Sequence, residues 1–258
     1  MFQLEPINAF ADNYVWLLRS PDSLEVVLVD PGEASPVLQV LDEGGLSIAA
    51  ILITHHHEDH VGGVGEILRK FPAPVFGPAW ENIPTVDHPV RGGDRVPFAE
   101  LGIEFDVVDV PGHTTGHIAY LGPGFALVGD TLFAGGCGRI FEGTPEQMYA
   151  SLSRLAALPP DTAIYCAHEY TAANLRFAVD VEPDNLATEL RLAKVRTLRG
   201  EGRPTVPSIL TEELETNPFL RCREAAVIEA AEARVGRPLR SDSDVFATVR
   251  RWKDGWRG

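Results

Sequence analysis

The run Thr54-His55-His56-His57-Glu58-Asp59-His60 follows directly on the apolar segment Ala50–Ile53. It contains the donor pattern H-x-H-x-D-H. Imidazole and carboxylate donors suit divalent zinc, iron and manganese. Four donors in six residues are too many for one tetrahedral ion. On a loop after a strand, His55 and His57 can face one metal and Asp59 and His60 another. A surface histidine cluster or a tag-like tract is the competing reading. It fits poorly, because helix-entry residues follow and the cluster lies well inside a globular pattern.

The surrounding chain reads as a layered sheet domain. Short β-branched segments at Tyr14–Leu18, Val26–Val29, Ala50–Ile53, Ile103–Val108, Ile118–Leu121, Ala126–Val128 and Ala163–Cys166 predict strands. Helical patterns fall between them at about Pro36–Leu41, Val61–Lys70 and Pro145–Leu158, the last opened by Thr144 as N-cap with proline next. Interleaved strands and helices imply an α/β or α+β layered domain. After about Thr171 the texture turns helical. Leu186, Leu190, Ala193 and Leu198 recur at roughly helical spacing, Pro204 and Pro207 interrupt, and further helices are expected over about Arg223–Val235 and Asp242–Trp252. Two domains are therefore expected, a catalytic sheet domain over residues 1–168 and a small helical domain over 169–258.

Three further segments end strands with donor-capable residues: Pro111-Gly112-His113-Thr114-Thr115-Gly116-His117, Gly129-Asp130-Thr131 and Ala167-His168-Glu169. Each alone is weak, since a single histidine after a strand is more often structural. Beside the histidine cluster they read as the rest of a metal site.

Charge narrows the partners. The 258 residues carry a net charge of −15, which argues against nucleic acid. Residues 1–168 hold 7 basic and 22 acidic side chains, whereas 169–258 hold 15 of each. The hydrophobic share is 45% and the charged share 23%, values of an ordinary soluble globular protein. No apolar run approaches a membrane span, and Met1 to Phe10 has no secretory pattern. The three cysteines, Cys137, Cys166 and Cys222, show no paired spacing, so a reducing cytoplasm is expected. A monomer with no membrane or nucleic-acid partner is the simplest expectation.

The motifs T-H-H-H-E-D-H, P-G-H-T-T-G-H, G-D-T-L-F-A-G-G-C-G-R, F-E-G-T-P-E-Q-M and A-H-E-Y-T together resemble the metallo-β-lactamase superfamily and, within it, the glyoxalase II family. The opening Asn8-Ala9-Phe10-Ala11-Asp12-Asn13-Tyr14-Val15-Trp16 and the tail segment Asn217-Pro218-Phe219-Leu220-Arg221 also match, so the resemblance covers nearly the whole chain. It implies an αββα sandwich with a small all-helical C-terminal domain. It implies two divalent ions, zinc first, with iron or manganese as alternates. His55, His57 and His113 would hold one ion, Asp59, His60 and His168 the other, and Asp130 both. His56 and His117 are not expected as ligands, and His88 reads as an ordinary surface histidine. Asp30 in Val29-Asp30-Pro31-Gly32 is either a partner orienting a ligand or a plain turn residue.

The implied reaction is hydrolysis of an S-(2-hydroxyacyl)glutathione, chiefly S-D-lactoylglutathione, by a metal-bridging hydroxide. Asp59 and Asp130 are the catalytic carboxylates, with proton handling by Asp59 as a hypothesis. Arg139, Phe141, Tyr170, Arg250 and Lys253 would contact the glutathione peptide. On spacing alone, a solvated helix face is the preferred reading of Arg250 and Lys253, and the resemblance turns it toward substrate contact. Phe141 stands where some members have tyrosine, and Arg139 where some have lysine. Cys137 in its glycine loop reads as a small packed residue rather than a nucleophile. The alternative is another dinuclear hydrolase of the same fold, a lactonase or other thioesterase.

Overall fold

A computed structural model describes residues 3–21, 23–99 and 101–258. The chain forms two compact units, one of Met1–Asp109 with Thr114–Gly129, the other of Val110–His113 with Asp130–Gly258.

The first unit contains β1 (Gln3–Ala9), β2 (Asn13–Arg19), β3 (Glu25–Val29), α1 (Ala34–Gly44), β4 (Ser47–Leu52), α2 (Glu58–Val61), α3 (Val64–Lys70), β5 (Val75–Pro78), β6 (His88–Val90), β7 (Arg95–Phe98), β8 (Ile103–Asp109), β9 (Ile118–Gly122) and β10 (Phe125–Gly129). Strands β1 to β6 make one sheet in sequence order. Its first three strands are antiparallel, and β3 to β6 run parallel. Parallel neighbours need crossovers. Helix α1 supplies the one from β3 to β4, and α2 with α3 the one from β4 to β5. Val37 and Leu41 of α1 and Val64 and Ile67 of α3 pack with Val15, Leu17, Val26, Leu28, Ile51 and Ile53 on one sheet face. Strands β7 to β10 form an antiparallel meander against the other face. There Phe98 meets Phe76 edge to face, and the Tyr120 hydroxyl donates to the Ile53 carbonyl at 3.0 Å.

The helix expected over Val61–Lys70 is broken into α2 and α3 at Gly62-Gly63. The Gly63 amide donates to the Pro31 carbonyl, and a Cβ at Gly63 would stand 2.5 Å from that oxygen. The break lets the chain lie against the turn after β3. Strand β1 escapes the sequence pattern because it is a mostly exposed edge strand carrying Pro6, a place where proline is tolerated.

The second unit contains β11 (Leu132–Phe133), β12 (Gly136–Cys137), α4 (Pro145–Ala156), β13 (Ala163–Cys166), α5 (Thr171–Val181), α6 (Leu186–Gly200), β14 (Ser208–Ile209), α7 (Leu210–Thr216), α8 (Ala225–Val235) and α9 (Asp242–Asp254). Thr144 caps α4 in a full capping box with Gln147. On α6 the apolar positions read from the sequence are not the buried face. Leu186 and Leu190 are exposed, whereas Thr188, Arg191, Leu192 and Val195 are buried. The reason is an ion pair. Arg191 reaches the fully buried Glu213 and also donates to Thr216 Oγ1 at 2.6 Å. Glu213 in turn accepts from Gly135 N–H at 2.8 Å and from Asn217 Nδ2 at 2.9 Å. Among the described residues no helix is long and apolar enough to cross a membrane.

Removing one partner of a buried ion pair strands the other charge. Arg191→Met should therefore cost about 3–5 kcal/mol, seen as a lower urea midpoint at unchanged slope in equilibrium unfolding.

Candidate metal centre

In the first unit the histidine loop hangs from the carboxyl end of β4, beside the end of β3, where the Asp30 amide donates to the Leu52 carbonyl. Carboxyl ends of adjacent parallel strands are the usual place for ligands in such sheets. Asp30 adopts φ +52, which turns its carboxylate inwards. It accepts from the Thr54 amide at 2.8 Å and from Thr54 Oγ1 at 2.7 Å. With that hydroxyl proton given to Asp30, Thr54 Oγ1 accepts from His55 Nδ1 at 3.1 Å. His60 Nδ1 lies 3.0 Å from the other side of the same carboxylate, at Oδ2. With the proton on Nδ1, each ring faces an oxygen and presents its Nε2 lone pair. A carboxylate behind a histidine is the arrangement that fixes tautomer and ring orientation in metal sites.

His55 Nε2 stands 3.1 Å from His57 Nδ1, and His60 Nε2 stands 3.7 Å from Asp59 Oδ2. Asn13 Nδ2 donates to Asp59 Oδ2 at 3.1 Å and orients that carboxylate. Two nitrogen ligands of one tetrahedral zinc ion lie about 3.4 Å apart, from metal–nitrogen distances near 2.0–2.1 Å. The pairs therefore have the spacing of donors that share an ion. His56 turns away, with Nδ1 3.0 Å from Glu81 Oε2. Glu81 Oε1 accepts from Thr114 Oγ1 and from the Gly116 amide. This buried carboxylate joins the His55–His60 loop to the Thr114–His117 loop. His117 is buried and stacks on His55 at 4.6 Å. His88 is exposed and stacks on Phe76.

In the second unit, Asp130 Oδ2 lies 3.4 Å from His113 Nε2 and 3.4 Å from His168 Nε2. All three residues are buried. His113 donates from Nδ1 to the Arg139 carbonyl at 2.7 Å, so its Nε2 is the bare nitrogen. Two imidazole nitrogens thus lie near one carboxylate oxygen. Gly138 makes room for it, since a Cβ there would stand 1.9 Å from the Asp130 carbonyl.

Two aromatic rings lie on these histidines. Tyr170 stacks on His168 at 4.7 Å and 4°, and Phe141 meets His113 edge-on at 5.3 Å. Phe141 is 63% exposed and Tyr170 37%, so both rings reach solvent. The Arg139 side chain is exposed, while its carbonyl serves His113. Arg250 is buried, donating to the Cys137 carbonyl at 2.9 Å and to Asp254 at 3.0 Å over the Phe219 ring. Lys253 Nζ donates to the Ala173 carbonyl at 3.1 Å. Burial first, then the charges of Arg250, Arg176 and Arg139, lower its pKa to about 8 against a smaller opposing effect of Cys137. Burial pushes the Cys137 thiol up to about 11, as befits a packed residue rather than a nucleophile.

Several supporting residues lie outside the motif reading. Thr54 precedes the donor His55 and Asn13 lies in the opening segment, but the sequence assigns a role to neither. Glu81 has no sequence signal, being a single glutamate 25 residues from His56. Asn217 explains the N-P-F segment structurally. Its Nδ2 donates to the carbonyls of Phe133 and Gly136, holding the loop that leads to Gly138 and Arg139.

Grouped histidine and aspartate donors of this kind suit divalent metal ions. A model of the metallo-beta-lactamase superfamily matches residues 10–168, and one of the hydroxyacylglutathione hydrolase C-terminus matches residues 169–256. The chain is 54% identical to a hydroxyacylglutathione hydrolase of Alkalilimnicola ehrlichii and 52% identical to one of Pseudomonas fluorescens, each across 98% of this chain and 99% of the relative. Among solved structures, ETHE1 from Myxococcus xanthus superposes with a TM-score of 0.66 at 25% identity, covering 97% of this chain and 90% of that one. The BLEG-1 B3 metallo-beta-lactamase shares the fold, with a TM-score of 0.63 at 22% identity over 85% and 99% of the two chains. This chain is thus a hydrolase of the metallo-beta-lactamase fold, and it belongs to the hydroxyacylglutathione hydrolase family.

Proposed function

We propose that this chain is a cytoplasmic glyoxalase II that hydrolyses S-D-lactoylglutathione to glutathione and D-lactate, the second step of methylglyoxal detoxification. The observation that carries this reading is Asp130 Oδ2, set 3.4 Å from two imidazole nitrogens. His55, His57 and His113 would hold one divalent ion, Asp59, His60 and His168 the other, and Asp130 both. Zinc is the first choice of metal. The donor set supports the pairing, because Nδ1 of His55, His60 and His113 each faces an oxygen and leaves Nε2 as the donor.

Two ions so held would supply hydroxide near neutral pH and a positive centre for the carbonyl oxygen. The chain's own groups do the rest. Asp30 keeps His55 and His60 in the metal-binding tautomer. Asn13 steers Asp59, which would accept a proton from the attacking water. No acid is needed for the leaving thiol, whose pKa is about 8.5. Residues 169–258 serve the glutathione peptide through Tyr170, Arg250 and Lys253, joined by Arg139 and Phe141 from the preceding loop. Phe141 cannot donate a hydrogen bond as a tyrosine would, a loss of about 1 kcal/mol.

The direct test is turnover of S-D-lactoylglutathione by the purified protein, followed as thioester loss and thiol release. Rapid turnover that disappears in Asp130→Ala is expected. No turnover with two bound ions would refute the substrate assignment. Asp30→Ala should lower metal affinity about 10–100-fold in chelator competition, with far-ultraviolet circular dichroism unchanged. Lys253 is charged below its pKa of about 8 and neutral above it. The value of kcat/KM for the anionic substrate should therefore fall as pH rises from 7 to 9, and Lys253→Arg should remove that limb.

A further inference from the structure

The turn between β1 and β2 consists of Phe10, Ala11 and Asp12. Phe10 has φ +49, in the left-handed region that bulky residues avoid and that glycine or asparagine enters easily. Burial does not repay this conformation, because the residue is 58% exposed. Nor does the turn need the ring. The Phe10 amide donates to Glu33 Oε2 at 2.7 Å, a bond that any residue but proline can make. Strain kept at a position that packing does not require points to function.

The turn stands beside the proposed site. Asn13, three residues on and buried, donates to Asp59 Oδ2 at 3.1 Å. Three residues span at most about 11 Å, so Phe10 is held within that reach of the Asn13 anchor on Asp59. Every side chain assigned above to the glutathione peptide comes from the second unit, and the acyl group has no assigned contact.

We propose that Phe10 is a specificity-determining residue for the acyl group, its ring forming an apolar wall against which the acyl substituent packs. The proposal rests on the thioesterase reading above. It favours thioesters with larger apolar acyl groups over small ones. Apolar pockets discriminate modestly, about 10-fold for one small group, so the effect belongs in the ratio of rates between acyl groups and not in the reaction itself.

The test compares kcat/KM for S-mandeloylglutathione and S-acetylglutathione in the metal-loaded wild type, Phe10→Gly and Phe10→Asn. Both variants suit a positive φ, so both should fold, and Phe10→Gly should raise Tm. The mandeloyl-to-acetyl ratio is expected to fall about 10-fold in each, with the acetyl value within about twofold of wild type. Leu24→Ala, which removes another exposed apolar side chain beyond the far end of β2, should leave the ratio unchanged. An unchanged ratio in both Phe10 variants, or an equal fall in Leu24→Ala, overturns the proposal while the thioesterase reading stands. A wild type inactive on both thioesters and on S-D-lactoylglutathione contradicts that reading and the proposal with it.

Discussion

Three Lewis bases meet at Asp130. Its Oδ2 lies 3.4 Å from His113 Nε2 and 3.4 Å from His168 Nε2, in a buried setting. Lone pairs turned on one another repel unless a cation lies among them, and burial magnifies that cost. Much of the second unit holds this arrangement in place. Glu213 fixes Gly135, Asn217 fixes Phe133 and Gly136, and Gly138 lets the chain pass close to Asp130. The Arg139 carbonyl then sets the His113 ring. A chain of contacts thereby runs from a buried ion pair in the helical region to the His113 ring.

The first unit solves the same problem with one carboxylate. Asp30 faces His60 directly and His55 through the Thr54 hydroxyl. In the proposed assignment those rings serve different ions, so a single buried group sets the donors of both. The positive φ of Asp30 also serves the turn after β3. The structural demands on this loop leave little freedom. Glu81 closes it from the other side through His56, Thr114 and Gly116.

The donor residues were legible because chemistry and spacing coincide. Imidazoles and carboxylates crowded after an apolar strand have few other uses, and the whole-chain resemblance supplied the family. Element boundaries were less legible where backbone needs overrode side-chain pattern. Gly62-Gly63 split an otherwise helical run because the chain must pass the Pro31 carbonyl. On α6, leucines at helical spacing suggested a core face, but the buried Arg191–Glu213 pair claims the inward side and leaves Leu186 and Leu190 exposed. Glu81 and Glu213 were illegible for one reason. A lone acidic residue in a strongly acidic chain carries no mark of burial, and only the fold reveals which carboxylates are taken out of water.

The central claim is that Asp130 bridges two ions. The most direct measurement is electron paramagnetic resonance of protein loaded with two equivalents of Mn²⁺. Ions about 3.5–4 Å apart that share a carboxylate couple magnetically, so the account predicts an exchange-coupled spectrum that collapses in Asp130→Ala. A simple six-line spectrum of isolated ions at two bound equivalents would contradict it.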